Sequence, residues 1–194
     1  MSLNPDGRDL YLSTLPLIIE NSPASLDPSP QPESVFYYFA YGSCMCPVDL
    51  KRTFGEHTHT YVVGTGRLLG YRLGFYRRSL LRDCGALDVV PDASAIVEGV
   101  LYRLPLRLSD RLDEREEVPH NGYRREYVDI ECEGKLYVKV RTYVVVNKLK
   151  EELAPNDWYF QVVLRGAVTC GLSEDYCWNL FQHMRQLQQQ QFLG

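Results

Sequence analysis

Five acids crowd into eight residues of this chain, Asp110, Asp113, Glu114, Glu116 and Glu117. Clusters of this kind are ordinarily a solvated helix face. Spacing separates one member from the rest. Leu108, Leu112 and Glu116 stand at i, i+4 and i+8, so on a helix Glu116 alone among these acids falls on the stripe that faces the core. A carboxylate aimed into an apolar interior must be protonated, paired or used. Burial raises its pKa toward the range a general base needs at neutral pH. Glu116 is therefore the candidate acid–base group.

A second feature is Tyr41-Gly42-Ser43-Cys44-Met45, which follows a run of apolar residues and precedes Pro47. Glycine permits a tight strand-to-helix turn, whose exposed backbone N–H groups can gather around an anion such as a carboxylate. A plain turn is the competing reading. The Gly-x-x-x-x-Gly-Lys arrangement that would cradle nucleotide phosphates is missing from it. A different chemistry would use Cys44 as a nucleophile with His57, His59, His120 or His183 as its base. Nothing local pairs Cys44 with any one of them. His57-x-His59 has no evident third metal ligand, and the six cysteines show no Cys-x-x-Cys spacing of a zinc site. Arg72, Arg77, Arg78 and Arg82 read as strand-end solvation, with a carboxylate near the pocket as the alternative.

These residues need elements to hold them. Val35-Phe36-Tyr37-Tyr38-Phe39-Ala40 is an unbroken β-branched and aromatic run, which predicts a central strand. Further strands are expected at 60–63, 71–76, 86–90, 95–102, 125–131 and 136–146, parted by turn residues such as Pro91-Asp92 and Glu133-Gly134. Seven short strands point to a barrel or a strongly curled sheet. Pro47 opens a predicted helix over 47–54. Ser109 is the expected N-cap of a helix through Glu116, and Asn156 that of a helix to about Cys170, stopped by Gly171. A last helix is expected over about 174–187. Residues 1–33, with prolines at 23, 28, 30 and 32, read as a mobile or surface-lying tail, 34–185 as one domain, and the glutamine-rich 186–194 as a fraying end.

Composition narrows the class. With 194 residues, 45% hydrophobic and 24% charged, the chain suits one globular core rather than a disordered or fibrous one. The net charge of −4 is the wrong sign for a phosphate-backbone binder, so no nucleic-acid partner is expected. No run approaches the roughly 20 apolar residues of a membrane span, and the N-terminus lacks a secretory-signal pattern. A cytoplasmic protein with reduced thiols and no membrane partner is the expectation. Oligomeric state is not readable.

Phe39-Ala40-Tyr41-Gly42-Ser43, followed about 70 residues later by Leu112-Asp113-Glu114-Arg115-Glu116, resembles the gamma-glutamylcyclotransferase-like family. The likeness continues through Gly122-Tyr123, Ala154-Pro155, Tyr159, Arg165-Gly166-Ala167 and Gly171-Leu172, and covers roughly 37–180. It implies an α+β, mainly β, fold, a small curled mixed β-barrel with peripheral α-helices. The implied reaction cyclises a gamma-glutamyl group to 5-oxoproline and releases an amine or amino acid, with no metal or cofactor. Glu116 aligns with the family's essential glutamate, acting as base and then acid. Tyr41, Gly42, Ser43 and Cys44 would hold the substrate's α-carboxylate through backbone groups, and Tyr123 and Tyr159 would line the site. Two positions depart from the family pattern: Cys44 stands where Asn is usual, and Glu117 where Gly often follows the glutamate. A non-catalytic binding module for gamma-glutamyl or amino-acid-like ligands is the alternative use of such a pocket. Gamma-glutamyl dipeptides, glutathione and gamma-glutamyl amines are all open as substrates.

Overall fold

The computed structural model describes residues 33–193, and the tail expected over 1–33 lies almost wholly outside them. Five strands close a barrel in the order β1-β3-β2-β4-β5: β1 Val35–Ala40, β2 Val62–Ser79, β3 Cys84–Pro105, β4 Tyr123–Cys132 and β5 Lys135–Val145. Neighbours are antiparallel except β1 and β5, whose parallel contact through Tyr38 and Arg141 makes the sheet mixed. The core is filled by buried residues of every strand, among them Phe39, Leu68, Val97, Leu101, Tyr102, Ile130 and Val140. Closure leaves the aromatic run of β1 buried at its C-terminal half, as its composition requires.

Strand number is where the pattern misled. The four expected segments between residues 60 and 102 are two long strands forming one hairpin, with tip residues 80–83. Pro91-Asp92 was read as a turn, but Pro91 sits inside β3 opposite Tyr71, directly after a register shift at Gly70. Gly70 has φ +77°, which a glycine adopts freely, and a bulge is one of the few places a sheet tolerates a proline without an N–H.

Helix α1, Pro47–Phe54, has the expected limits, with the proline at its first turn and Gly55 after its end. Helix α2, Ser109–Arg115, is entered directly from a 3-10 turn over Leu106–Leu108. Ser109 therefore does not cap it. Its hydroxyl instead accepts from Arg125 at 3.1 Å and Arg141 at 2.7 Å, binding the helix to β4 and β5. Helix α3, Asp157–Thr169, is capped as expected by Asn156, whose side chain accepts from the Tyr159 N–H at 2.9 Å. Helix α4, Glu174–Leu193, continues beyond residue 187. Gln188 gives a reason: it is buried and donates to the Pro155 carbonyl at 3.1 Å and to Asp157 at 3.0 Å. Among the described residues no helix is long and apolar enough to cross a membrane.

Candidate active site

The turn after β1 winds into a single 3-10 turn over Ser43–Met45 before α1 begins. The Met45 N–H closes onto the Gly42 carbonyl at 2.9 Å, and that of Cys46 onto Ser43 at 3.4 Å. The N–H groups of Ser43 and Cys44 have no acceptor among the described residues, as the first donors of a helical turn must. Adjacent free N–H groups are of the kind that can accept an anion. The turn is braced from behind: the Tyr102 hydroxyl donates to the Met45 carbonyl at 3.0 Å and the Cys170 thiol to the same oxygen at 3.1 Å.

Glu116 lies at the C-terminal cap of α2, its N–H still bonded to Leu112 at 3.0 Å. Leu112 is wholly buried, so the stripe seen in the spacing is real and Glu116 is its last member. The chain then doubles back. Glu117 adopts φ 52°, the left-handed conformation that favours glycine, and the loop closes with the Tyr123 N–H on the Glu116 carbonyl at 3.2 Å. Tyr123 thus opens β4 directly beside the glutamate.

All seven residues proposed from the sequence, Tyr41, Gly42, Ser43, Cys44, Glu116, Tyr123 and Tyr159, line one cleft at this end of the barrel. Burial pushes the Glu116 carboxyl above its ordinary pKa. Arg115, a hydrogen bond from Cys44, Arg82 and Arg77 pull it back toward the charged form. The Cys44 thiol donates to Glu116 Oε1 at 3.1 Å, and burial drives it up to about 12 in spite of Arg115. A thiolate at neutral pH is thereby disfavoured. The four histidines are elsewhere: His57 meets Lys51, His183 meets Glu152, and His59 and His120 are exposed. Among the described residues no three His, Cys, Asp or Glu side chains are placed to share a metal ion.

The tyrosines hold the cleft walls rather than the glutamate. Tyr123 donates to the Leu87 carbonyl at 2.7 Å, while the Tyr159 hydroxyl accepts from the Leu87 N–H at 3.3 Å. Tyr159 keeps its own proton available, because among the described residues no acceptor takes it. That hydroxyl lies over Gly42, where an added Cβ would stand 3.4 Å from it. Tyr41 donates to the Tyr143 carbonyl at 2.5 Å, fixing the entry to the turn.

Arg115 was missed. Its guanidinium reaches Cys44 Sγ at 2.9 Å, Ser43 Oγ at 3.3 Å, Thr53 Oγ1 at 2.6 Å and Asp49 Oδ2 at 2.5 Å, tying the turn, α1 and the end of α2 together. Its place beside the glutamate was the one available signal. Of the arginine group, Arg77 and Arg82 line the cleft, whereas Arg78 pairs with Asp83 and Arg72 with Asp92 and Tyr76. Arg77 stacks on the Tyr123 ring, pairs with Glu117 and packs so tightly on Gly122 that an added Cβ there would overlap its guanidinium. The second acid beside Glu116 is in this way turned aside.

Comparison with known proteins follows the same line. The AIG2-like family model matches residues 96–180. The Bacillus subtilis (strain 168) protein named "Putative gamma-glutamylcyclotransferase YkqA" is 35% identical over 151 residues, 78% of this chain and 53% of its own length. The crystal structure of YkqA has a TM-score of 0.73 at 34% identity, covering 79% of this chain and 55% of that one. This chain thus spans about half the length of YkqA. A structure named gamma-glutamyl cyclotransferase, 23% identical, shares the fold with a TM-score of 0.68 over 76% of this chain and 86% of its own. An uncharacterized Homo sapiens protein, 24% identical, does so with a TM-score of 0.68 over 76% and 87%. By family match over residues 96–180, by likeness in sequence to YkqA and by shared barrel, the chain resembles the AIG2-like family and has the gamma-glutamyl cyclotransferase fold.

Proposed function

We propose that this chain cyclises a gamma-glutamyl group to 5-oxoproline, releasing the amine or amino acid bound to it, with Glu116 as base and then acid. One observation supports the reading: Glu116 lines the same cleft as Ser43 and Cys44, whose N–H groups are uncommitted among the described residues. Those N–H groups suit the substrate's α-carboxylate, which brings its α-ammonium to Glu116. The carboxylate takes one proton, and the neutral amine attacks the γ-carbonyl carbon to close a five-membered ring. Holding such an intramolecular pair in place lowers the barrier by several kcal/mol, up to about 7–11 in the best model systems. The Tyr159 hydroxyl proton suits the oxygen on which charge then develops. Glu116 returns its proton to the departing nitrogen, the C–N bond breaks, and the second proton of the ring nitrogen passes by way of the restored carboxylate to the released amine, which leaves as its ammonium form.

Arg115 acts through others. It fixes the side chains of the turn against the glutamate, a positioning role. The test is incubation with gamma-glutamyl dipeptides, glutathione and gamma-glutamyl amines while 5-oxoproline is followed by mass spectrometry. Product from at least one substrate is expected, and none from any would refute the proposal.

A further inference from the structure

A second cleft, of about 560 Å³, adjoins the first and shares two side chains with it, Arg82 and Arg115. That volume is in the range of small-molecule sites. Asp49, Arg52, Leu81 and Trp158 form its other functional walls. Charge there is unevenly committed. Arg115 holds Asp49, and Arg52 lies 3.9 Å from the same carboxylate. Arg82 has no carboxylate within ion-pair distance among the described residues, its guanidinium resting 5.7 Å from the Trp158 ring centroid and 5.4 Å from that of Tyr159. A planar cation resting near two aromatic rings keeps its donors for a ligand. Beside it the rim is apolar and wet: Leu81 is 86% exposed and Trp158 48%. Leu81 and Arg82 both belong to the tip of the β2–β3 hairpin, so one short loop brings the cation and an apolar wall to the mouth of the site.

We infer that this second cleft receives the departing half of the substrate, and that it selects an α-amino acid with a bulky apolar side chain, its carboxylate on Arg82 and its side chain against Trp158 and Leu81. The inference rests on the cyclotransferase reading and goes beyond it, since that reading leaves the leaving group open. An amine bearing further positive charge meets Arg52, Arg82 and Arg115 with only Asp49 opposing them, already engaged. A small amino acid leaves the indole uncovered. The γ-carbonyl, held near Glu116 in the first cleft, directs its nitrogen substituent toward the shared arginines, which is the connection the two clefts provide.

The decisive comparison uses gamma-glutamyl-phenylalanine, its decarboxylated counterpart gamma-glutamyl-phenethylamine, and gamma-glutamyl-alanine. In the wild type, kcat/KM is expected to fall in that order's first step, from the acid to the amine, by about 10–100-fold, the worth of one charge-assisted hydrogen bond. Arg82→Gln should collapse this ratio toward one. Trp158→Ala should reduce the preference for phenylalanine over alanine by about tenfold. An unchanged acid-to-amine ratio in Arg82→Gln, with both substrates weakened equally, would place Arg82 on the glutamyl α-carboxylate and overturn the inference. Calorimetric binding of the same three compounds to Glu116→Gln, with and without Arg82→Gln, asks the question without turnover. Absence of 5-oxoproline formation by the wild type from every substrate would refute the cyclotransferase reading, while the binding ratios would still decide for or against the subsite.

Discussion

Helix α2 and its C-cap place two carboxylates, Asp113 and Glu116, three residues apart, and the protein treats them in opposite ways. Asp113 faces β4 and β5. Against the burial that would raise it, hydrogen bonds from Arg125 and Tyr143 hold its carboxyl below the ordinary value. Glu116 faces the cleft, where burial outweighs Arg115 and the Cys44 thiol and lifts it. The first is saturated with donors and anchors the helix to the barrel. The second is left with one thiol donor and an opening to ligand, the condition of a group that must change protonation state. One helix and its cap thus hold both the fastening and the proposed base, and the difference lies in how many donors meet each acid.

Breaking the fastening should have the largest effect on stability. Asp113→Asn is expected to cost about 2 kcal/mol, the scale of hydrogen bonds to a charged group, visible as a lower urea midpoint. Its catalytic rate per folded molecule should change less than that of any cleft variant. The opposite sign is expected at the other acid. A carboxyl whose folded pKa is raised binds its proton more tightly in the native state, so native stability falls as pH climbs from the unfolded value through the folded one. Glu116→Gln removes that loss and should be more stable than wild type at neutral pH, the gain disappearing below about pH 4. Thermal melts at the two pH values measure it.

Cys44→Ala removes a donor to the carboxylate, so Glu116 should hold its proton to higher pH. The acid limb of the pH–kcat profile then moves upward while the alkaline limb stays. An unmoved limb would mean the thiol contributes nothing to the poise of the glutamate. Glu117→Gly should have the smallest effect. Relief of a left-handed residue, worth about 1–2 kcal/mol, is opposed by loss of the half-exposed pair with Arg77, leaving a net change within about 1 kcal/mol in denaturant titration.

Much of this was legible because it is local. The i, i+4, i+8 spacing of Leu108, Leu112 and Glu116 depends on one short helix and its two caps, and the turn at Gly42 with Pro47 behind it depends on neighbours in the chain. What escaped depends on meetings between distant segments. Ser109 looks like a cap until Arg125 and Arg141 arrive from two strands to claim its hydroxyl. Arg115 looks like solvated charge until Asp49, Thr53 and Ser43 surround it. Pro91 looks like a turn because nothing nearby announces that the bulge at Gly70, across the hairpin, will accommodate it. Gln188 looks like one more solvated glutamine until it finds the backbone at Pro155.

The central claim is that the Glu116 carboxyl moves the protons of ring closure. It is tested most directly by measuring 5-oxoproline release from a gamma-glutamyl substrate by wild type and Glu116→Gln, with ligand binding followed in parallel. The account predicts retained binding and a rate lowered by at least about 10²–10⁴-fold, the contribution of a positioned acid–base group. Release by the variant at a rate near that of the wild type would contradict it.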